Sequence, residues 1–282
     1  MNLQPNVIVF CPDQWGEVDK FSKFYAGTHS FGSDVKKAVS GIGGHFDKAI
    51  TLRNLAMKLV PNLKIDQAEL TANGFTSASN ATEFAAVVEG VFTELYSSVD
   101  CARKVVTAIY KKCRGITDST RRFFTRAVSG GISDFPPELR IAFTEATWYG
   151  ELLGIRDELT HSNIGSCFQA SGEDNISYMH QGMIRNSKPL VINDIFKKIE
   201  ELIAGVNQFL GRIFNFLNSQ LLETSQTVLC GFFYGRAYVR DLIVAKHIDF
   251  NSGICNSKSW FDTAPEFTCP LALQCGAYKR AG

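Results

Sequence analysis

Apolar residues recur at helical spacing along most of the chain. From Ser33, the positions Val35, Val39, Ile42, Phe46 and Ile50 predict a helix over 33–60, closed by Pro61. Gly41, Gly43 and Gly44 each lower helix propensity by about 1 kcal/mol relative to Ala, so a break is expected near Gly43, with His45 half-exposed where the helix restarts. A longer stripe through Phe84, Val88, Val91, Leu95, Val99 and Val106 predicts a helix over 80–114, with Asn80 and Glu83 spaced as a capping box. Glu83, Glu89 and Glu94 lie early in it and Lys111, Lys112 and Arg114 late, as the helix dipole prefers. Further helices are expected over 117–128, over 136–161 with Asp134 and Pro136 or Pro137 at its start, and over 193–223 with Asn193 as cap.

Elsewhere the period changes. Val7 to Phe10 reads as a short strand, and Trp15, Val18, Phe21, Phe24 and Tyr25 follow at helical spacing. Between the last two long helices, short β-like runs around Ile176, Met183 and Leu190 suggest a hairpin excursion over 164–192. Beyond Thr224 the chain turns rich in Gly, Ser, Pro and Cys. These patterns predict a mainly α protein: an antiparallel helical bundle over 1–223 with a short β-hairpin-like insertion, and an irregular, Cys-containing C-terminal extension, 224–282, packed on the bundle.

Composition narrows the function. With 282 residues, 45% hydrophobic and 20% charged, the chain can bury a sizeable core. Its 29 basic and 28 acidic residues leave +1, so any nucleic-acid binding needs a local patch. Lys111, Lys112, Arg114, Arg121, Arg122 and Arg126 supply one, opposed only by Asp118 and interleaved with Phe123 and Phe124; they are the candidate RNA-binding residues. No apolar run is long enough to cross a membrane and the N-terminus lacks a signal-peptide pattern, so a cytoplasmic protein without a membrane partner is expected. Eight scattered cysteines without a Cys-x-x-Cys pair read as reduced. No Gly-rich phosphate loop followed by Lys is present, and no cofactor is expected.

The stretch from Trp148 to Asn163 concentrates the chemistry. Arg156, Asp157 and His161 fall within six positions on a helix otherwise made for burial. Arg156 is either an ion-pair residue tied to Glu151 or Glu158, or a phosphate ligand, which its planar fork of donors suits. His161 carries the side chain that exchanges protons near neutrality. Five steps of helix put positions 156 and 161 about 140° apart, so they converge only if the helix ends before His161 or a second subunit supplies the facing copy.

Arg156-Asp-Glu-Leu-Thr-His161 resembles the motif of the HEPN superfamily (higher eukaryotes and prokaryotes nucleotide-binding), in which Arg and a polar residue precede His by a few positions. The resemblance implies a helical bundle that pairs as a homodimer with two motifs facing. It also implies a metal-independent endoribonuclease acting in toxin, antiphage or RNA-processing roles, with an antitoxin or regulatory protein as a further partner. Other members of that superfamily only bind or regulate.

Three further sets enter as candidates. Arg240 and His247 repeat the motif, but a continuous apolar run from Leu242 to Ala245 reads as buried packing. His180 and Arg185 would contact substrate from the insertion. No metal is assigned to the motif; His247, Cys255, Cys269 and Cys275 have the right donor types for a structural zinc, at spacings that match no usual paired pattern.

Overall fold

The computed structural model describes residues 8–9, 16–161, 164–169, 175–185, 188–243 and 252–281, with backbone alone at 8–9, 161, 181–185 and 188–190. Strand β1 (Ile8–Val9) and helix α1 (Glu17–Phe24) open the chain. Helix α2 (Ser33–Leu59) then runs unbroken through its glycines. The expected break is absent because Ala38, Val39, Ile42, Ala49 and Ala56 are buried along one face, and tertiary packing outweighs a propensity loss of about 3 kcal/mol.

Pro61 is followed by a helix that periodicity did not reveal, α3 (Leu63–Asn73), closed by Gly74 at φ 74°. It supplies the cap for α4 (Ser79–Ile109). The Asp66 carboxylate accepts from the backbone N–H groups of Asn80 (3.4 Å) and Ala81 (2.8 Å) and from the Asn80 side chain (2.7 Å). Asn80 is therefore inside the helix, and the expected capping box is replaced by a carboxylate from a neighbouring element. Helices α2 and α4 form an antiparallel pair: Ser98 donates to the Ile42 carbonyl (2.7 Å), and Leu52 packs on Gly90.

Helix α5 (Thr120–Val128) is capped by Ser119, and α6 (Pro137–Glu145) starts at its proline. The single helix expected over 136–161 is divided, because the chain leaves helical geometry at Ala146 and resumes in α7 (Tyr149–His161). That break lets the adjacent Trp148 and Tyr149 both join an aromatic core with Phe124, Phe143 and Phe209. Tyr149 stacks on Phe124 at 3.5 Å between ring centres.

The insertion is a three-stranded antiparallel sheet, β2 (Ser166–Gln169), β3 (Ile176–Arg185) and β4 (Lys188–Ile192). Glu89 of α4 fastens it by accepting from Gly165 N–H (2.6 Å) and the Tyr178 hydroxyl (2.9 Å). Helix α8 (Ile195–Ser219) is capped by Asp194, whose carboxylate accepts from Lys197 N–H at 3.0 Å, rather than by Asn193. Gly205 of α8 has no Cβ where the Trp148 ring approaches; one built there would lie 2.5 Å from the indole.

The chain divides into two compact units, residues 31–213 and residues 1–30 with 214–282. The second unit holds a hairpin in place of the irregular tail expected. Strands β5 (Ser225–Phe233) and β6 (Arg236–Ile243) turn through Tyr234 and Gly235, both at positive φ, as a tight two-residue hairpin requires. Strand β1 pairs with β5, and β7 (Ile254–Cys255) pairs with β6, giving the antiparallel order β1-β5-β6-β7. Helices α9 (Lys258–Thr263) and α10 (Gly276–Arg280) complete the unit, whose core stacks Phe233, Tyr238 and Phe261. Among the described residues no helix is long and apolar enough to cross a membrane.

Candidate functional site

Helix α7 buries Tyr149, Leu152 and Ile155 and leaves Arg156 at its edge. The guanidinium lies 4.9 Å from the centre of the Tyr96 ring on α4, a cation–π contact worth about 0.5–1 kcal/mol where partly exposed. Tyr96 stacks in turn on Tyr149, and Tyr149 on Phe124, so an aromatic column rises from the core to the arginine. Burial pushes the Tyr149 phenol far above its ordinary value, with Tyr96 adding to the shift, so it stays a neutral floor.

Asp157 joins two cations. It accepts from Arg156 at 3.1 Å and pairs with Arg121 of α5. Of the two partners expected for Arg156, Glu151 is paired instead with Lys198 at 3.2 Å. The Arg121 side chain is 63% exposed and Arg156 36%, so two guanidinium groups flank one carboxylate at an open surface. That arrangement presents fork-shaped donors to an incoming anion, and a phosphate displacing Asp157 would meet both.

Lys111, Lys112, Arg114, Arg122 and Arg126 are exposed with Arg121 along the turn after α4 and on α5. Arg126 also donates to the Gly115 carbonyl (2.9 Å), tying down that turn. Arg121 is thus the member of the basic cluster that contacts the motif. Helix α7 ends at His161, as Ser162 and Asn163 suggested, but it includes His161 rather than stopping before it. The His161 side chain lies outside the described residues.

Other candidates are placed elsewhere. His180 on β3 is only 2% exposed, packed near Tyr178, which corrects its expected role as a substrate contact. The Arg185 side chain and all of His247 lie outside the described residues. Arg240 on β6 is fully buried, donating to Cys230 Sγ (3.0 Å) and the Ser252 carbonyl (3.2 Å). It cannot meet a phosphate at the surface, so the second motif reduces to packing at its arginine. Cys255, Cys269 and Cys275 do line one cavity, though among the described residues no three metal-binding side chains are drawn together to hold an ion.

Two features escaped sequence reading. Tyr96 follows Leu95 in an apolar stripe, and nothing in its neighbours marks it as the arginine's platform. His45, read as merely half-exposed, hydrogen-bonds Glu94 through Nδ1 at 2.6 Å, and Lys48 reaches the other carboxylate oxygen at 2.5 Å. Burial pushes the Glu94 carboxyl up, but hydrogen bonds and charge from Lys48 and His45 outweigh it and hold the group below the usual carboxylate range. The Cys101 thiol and the His45 ring edge both border the space where Gly41 has no Cβ. Searches of family models, curated proteins and solved structures give no match to this chain.

Proposed function

We propose that the chain is a metal-independent endoribonuclease of the HEPN type, working as a homodimer in an RNA-processing, toxin or antiphage role. The observation that carries this reading is the pair of accessible guanidinium groups, Arg156 and Arg121, held by Asp157 beside Tyr96. In the mechanism, the RNA supplies its own nucleophile: the ribose 2′-hydroxyl attacks the adjacent phosphorus and the 5′-oxygen leaves. His161, with its twin in the second subunit, takes and returns the proton. Arg156 stabilises charge on the phosphorane oxygens, and Asp157 holds Arg156 in place until substrate arrives. Because positions 156 and 161 are about 140° apart on one continuous helix, the facing subunit is part of the site.

The test is cleavage of RNA in chelator by the purified chain, beside Arg156→Ala and His161→Ala. Both variants should fold, measured by circular dichroism, and lose cleavage; the product should carry a 2′,3′-cyclic phosphate or its hydrolysed form. Cleavage retained by His161→Ala would defeat the mechanism. A noncatalytic binding or dimerisation module is the second reading, favoured by the contacts Arg156 already makes with Asp157 and Tyr96. RNA binding or dimerisation without cleavage in the wild-type chain would select it.

A further inference from the structure

Tyr149 opens α7, and two turns of helix carry the chain on to Arg156, so the two residues stand within roughly 20° of each other on one side of that helix. The Tyr149 ring stacks on Phe124 of α5 and on Tyr96 of α4. One turn before Phe124, on the same side of α5, is Arg121, which pairs with Asp157. The phenol is thus carried toward the end of the aromatic column where the charges gather, and those of Arg121 and Asp157 both act on it. Adjacent positions on a helix do not ordinarily face each other, so the Arg156–Asp157 contact requires both side chains to turn toward a common point, which Arg121 reaches from α5.

The Tyr149 hydroxyl is unused. The residue is only 7% exposed, and its oxygen is enclosed with no hydrogen-bond partner among the described residues. Tyr96 is near enough to push the phenol further up, without reaching hydrogen-bond geometry. Asp157 is already engaged: its Oδ1 accepts from Arg156 at 3.1 Å and its Oδ2 from Arg121. Burial keeps the phenol protonated, so toward an anion it is a donor. A buried donor left unsatisfied is costly, and nearly all such groups in folded proteins have a partner. An exception beside two guanidinium groups calls for an acceptor from outside the chain.

We propose that the Tyr149 hydroxyl is a third donor, with Arg121 and Arg156, in a site for one phosphate group, and that the Asp157 carboxylate occupies this site until a phosphate displaces it. This rests on the proposed reading of Arg121 and Arg156 as the phosphate-facing pair, but not on cleavage. A carboxylate and a phosphate match the same guanidinium fork, so the resident group and the incoming one compete for the same N–H donors. Displacement of Asp157 opens the hydroxyl to a phosphate oxygen. The two arginines bring charge on long, flexible side chains. Tyr149 brings none, but its ring is fixed by stacking on Phe124 and Tyr96, so its O–H bond sets where the phosphorus comes to rest. Tyr149 is therefore a positioning residue. All five residues belong to the unit of residues 31–213.

The test is binding of a short fluorescein-labelled single-stranded 2′-O-methyl oligoribonucleotide to the full chain, with inorganic phosphate as competitor. Its blocked 2′ oxygen keeps the probe intact, so cleavage plays no part. Tyr149→Phe should weaken both the oligonucleotide and phosphate by about 10-fold or more, the size of one hydrogen bond to a charged group. The salt slope of log K should stay unchanged, because no charge is lost. In urea unfolding the free Tyr149→Phe chain should be at least as stable as wild type, since the variant removes an unsatisfied hydroxyl. Asp157→Asn should tighten both probes by weakening the resident competitor. Wild-type affinity in Tyr149→Phe overturns the proposal, as does a loss confined to the oligonucleotide, which would place the contact on a sugar or base. A Tyr149→Phe chain that is less stable than wild type or fails to fold overturns it too, by giving the hydroxyl a structural role, and so does weaker phosphate binding by Asp157→Asn. If the wild-type chain binds neither probe, the phosphate reading of Arg121 and Arg156 falls with it; binding that Tyr149→Phe leaves unchanged removes the role of Tyr149 alone.

Discussion

Replacing Glu94 by Gln keeps the side chain's shape and removes its charge. Glu94 is 11% exposed and accepts from both His45 and Lys48, whose side chains are 38% and 61% exposed. A hydrogen bond to a charged group contributes about 1.5–3 kcal/mol when buried, and an exposed ion pair about 0–1 kcal/mol. With one partner half-shielded and the other largely in water, the loss should be about 2 kcal/mol at neutral pH. The sign with pH follows from the depressed carboxyl: its stabilisation is full above the usual carboxylate range and fades as pH falls through the lower folded value. Urea unfolding of wild type and Glu94→Gln at pH 7 and again in acid should therefore show a gap that closes on acidification. A gap below about 0.5 kcal/mol at pH 7 would refute the assignment of this cluster as an anchor of the α2–α4 pair. A gap of equal size in acid would refute its electrostatic origin.

Asp66→Ala removes the carboxylate that caps α4 and should cost about 1–2 kcal/mol in urea unfolding, more than Asn80→Ala does. Gly205→Ala improves helix propensity by about 1 kcal/mol, yet its Cβ meets the Trp148 indole. Overpacking of about 1–3 kcal/mol should win, with a shift in tryptophan fluorescence as the second readout. Arg121→Ala should weaken RNA binding and reduce the salt slope of log K by roughly 0.7, one phosphate contact on a single strand, measured by fluorescence anisotropy. An unchanged slope would remove Arg121 from the RNA surface.

Local patterning carried much of the fold. The buried face of α4 is that of its apolar stripe, and Val39 and Ile42 of the α2 stripe are buried beside Ala38, Ala49 and Ala56, which the stripe did not include; a 3.6-residue period specifies which side of a helix leaves water before its partner is known. It failed where one element acts on another. Asp66 is an unremarkable polar residue until α3 folds beside Asn80, and the glycines of α2 looked like a break until the α4 partner was in place.

The candidate site divides along the same line. The presence of Arg156, Asp157 and His161 on one helix, and of a basic run at 111–126, is a property of spacing alone. The link from Asp157 to Arg121, the Tyr96 platform and the burial of His180 and Arg240 are not. Likewise the sequence by itself marked the tail as rich in cysteine, but only the tertiary structure brought Cys230, from a strand bulge, to the lining of the same cavity as Cys255, Cys269 and Cys275. The reason is physical: helical phase is fixed by bonds between near neighbours, whereas contacts between distant segments depend on which strands and helices find each other when apolar surface is buried.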